Sequence, residues 1–382
     1  MQRKTARLPL HSGHCPPWLY QRMVQLAGAL AEAIVVEFGP GELLARLADP
    51  AWFQAFGALL GFDWHSSGLT TVVTAALKEG LSQRGRDLGV YAAGGKGRAS
   101  RATPSEIGAI AERLGLPSAA EQLVYTSRLV AKVDNAAVQD GYQLYHHTFW
   151  FTADGRWAVV QQGMEGEGGR WARRYHWWSE TVEDPVCEPH QGIVGAAAVG
   201  LVLDLTAAQS ASARQATASL AGEVPEREVQ RALSCLSRQG EEWVFPAGHA
   251  IPAERYLNRV LYQLYERPPQ DFTDLLLRPG VGPSTLRALV MAAEVIYGVR
   301  ASRTDPIRYG FAHGGKDGHP FPVSRQDYDH NLAVLEQALR RAHLGQQESM
   351  AALRRLARWQ SEAAVGLKTA KEESGVGSNA VL

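Results

Sequence analysis

The sequence predicts an α+β protein that is mostly helical, with a small central antiparallel sheet and a C-terminal helical region. Three observations support this prediction. Apolar residues recur at helical spacing through residues 17–81, give way to an aromatic and β-branched stretch over 142–164, and return to helical spacing from about residue 193. With 45% hydrophobic and 20% charged residues in 382, the composition is that of a folded globular protein and excludes a disordered or fibrous one.

The N-terminal region reads as a series of helices before the sheet begins. Residues 85–101 read as a basic, glycine-rich loop that contains Lys96. Its GGKG string lacks the spacing of a nucleotide-binding P-loop, although a looser phosphate loop stays open as an alternative. The predicted helices are 17–37, two short helices within 42–64 broken at Pro50, 66–81, 103–114 and 117–140.

The sheet is predicted from a hairpin over residues 142–164 and a third strand over 173–178. Asp154 and Gly155 form a two-residue turn signal, and such a turn sets the register of the two strands. In that register His147 lies directly opposite Gln162 at the end of an apolar face. A buried polar pair of this kind is either a satisfied pair in the core or part of a site.

A polar stretch over residues 180–191, with two prolines, is the best candidate for a domain boundary. We therefore expect one domain over 1–182, a helical domain over 190–366 and a disordered tail over 367–382. The helices predicted after the boundary are 193–220, 225–238, 252–266, 271–277, 283–297, 324–344 and 347–364.

Charge, cysteine spacing and apolar run length limit the compartments and partners to be expected for this protein. Lys plus Arg and Asp plus Glu both number 39, so any attraction to nucleic acid must come from local basic patches. Three cysteines without CxxC spacing argue against a zinc ribbon or a disulfide framework. The longest apolar run, 193–203, is too short to span a bilayer, and no signal-peptide core follows the basic N-terminus. We expect a cytoplasmic protein that is not in a membrane.

The string LLLRPGVGPSTLRALVMAAEVIYG, residues 275–298, resembles the helix-hairpin-helix element of many DNA repair and DNA-processing proteins. Gly280 and Gly282 permit a tight turn, and their amides together with the following helix N-terminus can hold a DNA phosphate. Val281 would plug the hairpin, and Ser284 and Thr285 would add hydroxyl donors. Such an element contacts the backbone and reads little sequence. The alternative is an ordinary connection between two helices with a glycine cap.

The resemblance extends to the glycosylase branch of these proteins, where a Lys can follow the hairpin and a catalytic Asp lies about twenty residues beyond it. Here Ser284 occupies the expected Lys position, which departs from that pattern, and the nearest acid is Asp305 in TDPIRYG. Asp305 precedes a proline, so a turn or cap role is the alternative.

Candidate catalytic residues cluster around the hairpin. We expect Lys132 to stabilise developing negative charge, Asp134 to act as a base or metal ligand, and His147 with Gln162 to orient a substrate or water. The loop FAHGGKDGHP, residues 311–320, brings Lys316 and Asp317 as further candidates that could close over the site. No zinc-ligand pattern is present, and a divalent metal is a candidate cofactor.

Five tryptophans between residues 150 and 178 alternate with arginines, which include Arg156, Arg173 and Arg174. Aromatic rings beside guanidinium groups suit the stacking of bases and the holding of phosphates. We therefore predict a partly exposed, positively charged surface there. Lys96 of the basic loop is a further candidate for DNA binding.

Over nearly the whole chain, the order of segments resembles a prokaryotic family defined as a domain of unknown function. The resemblance rests on LPLHSGHCPPWL, DPAWFQAFGALLGFDWHSSGLTT, AAGGKGRASR, QDGYQLYHHTFWF, VVQQGM, RRYHW, PGVGPSTLRAL and FAHGGKDGHP. It implies no activity. From the residues we expect a DNA-binding protein that processes DNA in repair, by phosphodiester or N-glycosidic cleavage. The alternatives are a non-catalytic nucleic-acid-binding scaffold or regulator, or an RNA-modifying enzyme.

Overall fold

The computed structural model describes residues 8–10, 14–62, 67–84, 87–166, 169–195, 202–238 and 251–307, together with Gln337 and Arg354. The helices are α1 (Pro17–Phe38), α2 (Pro40–Ala48), α3 (Pro50–Leu59), α4 (Gly68–Ser82), α5 (Arg98–Arg113), α6 (Pro117–Lys132), α7 (Ala211–Glu223), α8 (Glu226–Arg238), α9 (Glu254–Glu266), α10 (Phe272–Leu277) and α11 (Pro283–Tyr297). The strands are β1 (Leu8–Pro9), β2 (Tyr91–Lys96), β3 (Val138–Gln139), β4 (Tyr142–Phe151), β5 (Trp157–Glu165), β6 (Trp171–Trp178), β7 (Gly192–Gly195) and β8 (Leu203–Asp204).

One antiparallel sheet lies between two helical layers. Its order is β1-β6-β5-β4-β2, with β7 also pairing with β6, while β3 and β8 form a separate two-stranded pair. Apolar residues of α1 to α4 pack on one face with Trp150 and Val160. Residues of α5 to α11 pack on the other face with Phe149, Val159 and Trp177. The predicted class, α+β and mostly helical with a small antiparallel sheet, is confirmed.

The first helical layer follows directly from local sequence. The predicted break at Pro50 is confirmed, because Asp49 ends α2 and its carboxylate accepts the amides of Ala51 at 2.7 Å and Trp52 at 3.1 Å to start α3. Helices α1 and α4 cross where two glycines meet. A Cβ on Gly28 would lie 2.7 Å from the carbonyl oxygen of Gly80, so the close crossing requires glycine.

Two predicted elements are wrong. The basic loop over 85–101 contains strand β2 at the sheet edge, and α5 begins at Arg98 rather than at residue 103. The predicted helix over 193–220 is instead β7, β8 and then α7, which starts at Ala211. Both errors have one cause, since short apolar or glycine-rich segments form strands only when a partner strand supplies hydrogen bonds. The expected helices over 324–344 and 347–364 and the tail lie outside the described ranges.

The hairpin between β4 and β5 has a three-residue turn, so the predicted register is wrong by one residue. The Thr152 amide donates to the Arg156 carbonyl at 3.0 Å, and Gly155, with φ of +89°, donates to the Thr152 carbonyl at 3.1 Å. His147 consequently pairs with Gln161. A shift of one residue moves a side chain to the opposite face of the sheet, and Gln162 lies on the face away from His147.

The packing continues across the proposed domain boundary. A single apolar cluster contains Phe149 of β4 and Leu289 of α11, which lie on opposite sides of residues 180–191. The division at that point stays a prediction. No helix within the described ranges is long and apolar enough to cross a membrane.

Candidate functional site

The sheet face that packs against α6 carries a connected set of buried polar side chains. His147 Nδ1 lies 2.8 Å from Gln161 Oε1, and His147 Nε2 lies 2.9 Å from Ser127 Oγ. Since an amide oxygen can only accept, His147 donates through Nδ1 and accepts the Ser127 hydroxyl at Nε2. Burial lowers the pKa of His147 to about 4, although its bond to Gln161 acts in the opposite direction. The imidazole is therefore neutral near pH 7.

Asp134 is the centre of this set, which we call the Asp134 network. It lies in a π-helical turn, Val133–Ala137, that continues α6. Its Oδ2 accepts Gln161 Nε2 at 2.5 Å and Trp177 Nε1 at 2.9 Å, and its Oδ1 lies 2.5 Å from His190 Nε2. The network thus joins α6, two neighbouring strands and the segment before β7 through one carboxylate.

In the Asp134 network a hydroxyl bonds to an imidazole, as a catalytic nucleophile bonds to its base. Unlike a catalytic pair, these side chains are closed off from solvent and substrate. Ser127, Asp134, His147 and Gln161 are all buried, at 5% exposure or less. A hydroxyl sealed in this way cannot reach a substrate. The polar side-chain atoms of Ser127, His147, Gln161 and Asp134 all have partners within the network. The contacts therefore support a role in holding α6 and the segment before β7 to one face of the sheet.

Gln162 lies on the opposite face of the sheet, as the shifted register requires. Its Oε1 accepts the Thr70 hydroxyl of α4, and its Nε2 donates to the Ser67 carbonyl at 2.9 Å and to the Tyr145 hydroxyl. The predicted convergence of Asp134, His147 and Gln162 on one cleft is therefore wrong.

The Lys132 side chain hydrogen-bonds neither to the Asp134 network nor to Gln162. Its Nζ donates to the carbonyl of Val281 at 2.6 Å, which ties the end of α6 to the turn before α11. Burial lowers the pKa of Lys132. The remaining catalytic candidates, Lys316 and Asp317, lie outside the described residues.

Arg173 is sealed in an ion cluster rather than exposed. Its NH1 lies 2.8 Å from Asp140 Oδ2 and 2.9 Å from Asp305 Oδ1, and Tyr175 also donates to Asp140 at 2.8 Å. Burial by itself would lower the pKa of Arg173, but the two carboxylates raise it above the ordinary value. Asp305 also accepts the Ile307 amide at 3.1 Å, as expected of a turn residue.

Arg174 is buried on the other face. It donates to Gln54 Oε1 at 3.0 Å and to His176 Nε2 at 2.8 Å, and its guanidinium lies 4.7 Å from the ring centre of Phe53. Burial lowers the pKa of Arg174 to about 9. The expected exposed surface is therefore wrong for Arg173 and Arg174, because neither can reach a phosphate. Among the tryptophans of this region, Trp150 and Trp177 are fully buried.

Lys96 is exposed and Arg156 is partly exposed, and the two lie in different places. Arg156 lies beside the hairpin turn, 2.5 Å from Asp154 Oδ2. Lys96 ends β2 and lies 5.9 Å from the ring centre of Tyr145.

A tight turn joins α10 and α11, and we call residues 278–282 the α10–α11 turn. Gly280 has φ of +81°, and a Cβ there would lie 2.7 Å from Val260 Cγ2, so this position requires glycine. Val281 is fully buried beneath the turn, as expected of a plug. The Thr285 hydroxyl donates to the Gly280 carbonyl at 3.0 Å rather than facing outward. Gly282 is partly exposed, and nothing lies within 4 Å of its Cβ position.

Helix α9 presents aromatic and basic side chains beside this turn. The Tyr256 hydroxyl donates to the Gly280 carbonyl at 3.3 Å, and the Arg259 guanidinium lies 5.1 Å from the Tyr256 ring centre. Tyr262, one turn further along, is 59% exposed. Tyr256 and Val260 therefore cover the Gly280 side of the turn, while its Gly282 side is open.

A cavity of about 950 Å³ opens between α4 and the β2 edge of the sheet. Its lining includes Tyr20, Lys78, Lys96 and Tyr145, with the backbone of Gly94 and Gly95. None of the Asp134 network lines it. Within the described ranges, no group of three or more His, Cys, Asp and Glu side chains is arranged to hold a metal ion.

Sequence reasoning missed the residues that complete these groups. His190 joins the Asp134 network from a distant segment, and no local pattern marks it. Ser127 lies two helical turns before Asp134 on the same helix, and that spacing could have pointed to it. His146 could have been found, because HH in a strand puts one histidine on each face. Its Nε2 lies 2.8 Å from the Thr148 hydroxyl and 3.2 Å from the Thr74 hydroxyl, beneath the cavity.

Comparison with known proteins gives one match. No curated protein and no solved structure matches the chain. Residues 4–323 match a family described as "Protein of unknown function (DUF763)". Because this match covers most of the 382 residues, the chain belongs to the DUF763 family, as the order of its segments predicts.

Proposed function

We propose that this protein binds DNA, with little sequence preference, through a helix-hairpin-helix formed by α10, the α10–α11 turn and α11. The observation that supports the proposal is the turn itself. Gly280 holds a positive φ over a buried Val281, and Gly282 leaves space at the N-terminus of α11. The Gly282 amide itself donates to the Gly280 carbonyl at 3.1 Å, so the first turn of α11 would supply the amides for a phosphate. Backbone amides at a helix N-terminus attract phosphate oxygens, and such contacts read the DNA backbone rather than its bases.

Neighbouring side chains extend this surface. Arg259 and Tyr256 lie beside the turn, and Lys132 supports it from beneath through the Val281 carbonyl. Arg259 adds a cation that a phosphate can reach, while the exposed rings of α9 offer stacking for an unpaired base. We therefore expect the α10–α11 turn and α9 to act together.

The test uses one position that tolerates side chains. Because Gly282 has φ of −111° and open space at its Cβ, Gly282→Ala should fold and bind as the wild type does. Gly282→Asp places a carboxylate where the phosphate would bind, so duplex affinity should fall by about tenfold or more, roughly 1.4 kcal/mol. Fluorescence anisotropy with a labelled duplex, repeated at several salt concentrations, measures the affinities of both variants.

Salt dependence provides an independent check. Each duplex phosphate contacted contributes about 0.9 to the slope of log affinity against log salt, so Gly282→Asp and Arg259→Glu should each reduce that slope by about one. Equal binding by the Gly282→Ala and Gly282→Asp proteins, with no dependence on salt, would exclude the turn as a DNA contact.

We further propose that the protein processes the DNA it holds, by phosphodiester or N-glycosidic cleavage in repair, and that it does so in the cytoplasm. Three cysteines without disulfide or zinc spacing support a reducing compartment. The full chain should cleave labelled oligonucleotides that carry mismatches, uracil, oxidised bases, flaps or junctions. Loss of cleavage with EDTA would indicate a metal-dependent nuclease, and cleavage that persists would indicate a glycosylase. Binding of all these substrates without cleavage would make the protein a scaffold.

A further inference from the structure

We propose that the cavity between α4 and β2 is a second binding site, for a nucleoside phosphate, independent of the α10–α11 turn. The phosphate would lie at Lys96 and the glycine-rich end of β2, and the base among the rings of Tyr20 and Phe62. A volume of about 950 Å³ is at the upper end of the range for small-ligand sites, which suits a ligand of nucleotide size.

Glycines lie at and beside the cavity at the end of β2. Gly95 has φ of +148° and lines the cavity, with Ala99 Cβ 3.3 Å from its Cβ position. Gly97, which follows the lining residue Lys96, has φ of +63° and nothing within 4 Å of its Cβ position. Helix α5 begins at the next residue, and its Ala99 also lines the cavity. A strand, a glycine turn and a helix N-terminus in this order let a phosphate approach the backbone closely.

Among the described residues that line the cavity, Lys96 is a lysine that no carboxylate engages. Lys78 Nζ is engaged by Glu106 at 2.6 Å, and Glu79 is held by Tyr20 at 2.9 Å. Lys96 has no carboxylate partner within the described residues, and only the Tyr145 ring lies beneath it. An exposed ammonium beside a bare glycine turn favours an anionic group at that point.

An incompletely satisfied histidine lies directly beneath the cavity. His146 is 1% exposed and is held through Nε2 by Thr74 and Thr148, both of which line the cavity. Its Nδ1 has no hydrogen-bond partner. A buried polar atom without a partner is destabilising. His146 does not itself line the cavity, so a ligand there would act on it through Thr74 and Thr148. The strand is also bulged between Leu144 and His146, as strands often are beside functional sites.

The experiment is calorimetric titration of the full-length protein with AMP and with adenosine. Phosphate recognition predicts that AMP binds and that adenosine binds at least about tenfold more weakly. Lys96→Glu should weaken AMP binding by about tenfold or more. Ala75→Trp should also weaken it, because Ala75 is an exposed lining residue where a large ring would fill the cavity without disturbing the core. The matched control is Arg113→Glu at the other, exposed end of α5, which should leave AMP affinity unchanged.

Two sources of a nucleoside phosphate are separated by a second titration. A single strand of about ten nucleotides is compared with and without a 5′-phosphate. Tighter binding of the phosphorylated strand, lost in Lys96→Glu, identifies a strand end as the ligand. Binding of AMP alone identifies a free nucleotide.

The proposal is overturned if neither AMP nor the phosphorylated strand binds at about 1 mM. It is also overturned if Lys96→Glu and Ala75→Trp both fold and leave the binding unchanged. The hairpin proposal fails separately. Gly282→Asp should retain AMP binding, and Lys96→Glu should retain duplex binding.

Discussion

Removing the Asp134 carboxylate should destabilise the protein strongly. In the Asp134→Ala protein, three buried groups lose their partner: Gln161 Nε2, Trp177 Nε1 and His190 Nε2. Each buried polar group left unsatisfied costs about 1–3 kcal/mol. The Gln161 amide keeps a longer contact of 3.4 Å to the Val130 carbonyl, so the lower end of that range applies to it. We therefore expect a loss of at least about 3 kcal/mol.

The assay is urea unfolding followed by tryptophan fluorescence. For an m value of about 3 kcal/mol per M, a loss of about 3 kcal/mol moves the midpoint down by about 1 M. Asp134→Asn retains one acceptor oxygen and should lose less than Asp134→Ala. The control is Glu228→Ala on the exposed face of α8, where a surface pair with Arg231 at 2.9 Å should contribute no more than about 1 kcal/mol.

An unchanged midpoint in Asp134→Ala would refute the reasoning. It would mean that the buried donors find other acceptors, and that the Asp134 network does not hold α6 to the sheet. If such a stable variant also lost cleavage of DNA, Asp134 would be a positioning residue for the reaction, since its buried carboxylate cannot touch the substrate.

Further predictions concern pH and the ion cluster. Burial lowers the pKa of His146 to about 3 and of His147 to about 4, from 6.5. The unfolded chain therefore binds protons that the folded protein does not, and stability should fall by about 2 kcal/mol per imidazole between pH 7.5 and pH 5. Urea unfolding midpoints across that pH range measure the fall in stability. The His147→Gln protein should show a smaller fall, and a midpoint that does not change with pH would contradict the prediction. Asp305→Ala removes one of the two carboxylates at buried Arg173 and should lower the free energy of unfolding by about 2 kcal/mol. This is less than the roughly 3–5 kcal/mol for a wholly broken buried pair, because Asp140 remains. An unchanged midpoint would show that Asp140 alone satisfies Arg173.

The sequence by itself determined the helices and the turns that local chemistry specifies. Asp49 before Pro50 separates α2 from α3, and α1, α4 and α11 lie close to where apolar spacing placed them. The glycine pair 280 and 282 likewise predicts a turn with positive φ, which Gly280 has, whereas Gly282 has φ of −111°. These features were predictable because each depends on neighbours within a few residues.

Only the tertiary structure decided the strands at the sheet edges and the face on which each polar residue lies. β2 and β7 acquire their hydrogen bonds from β4 and β6, so neither could be separated from a loop or a helix by its own residues. One additional residue in the hairpin turn put Gln161, not Gln162, beside His147. Arg173 and Arg174, expected at the surface, are buried and contact Asp140 and Gln54 instead. Long-range packing supplies these acid and amide partners, which the neighbouring sequence does not contain.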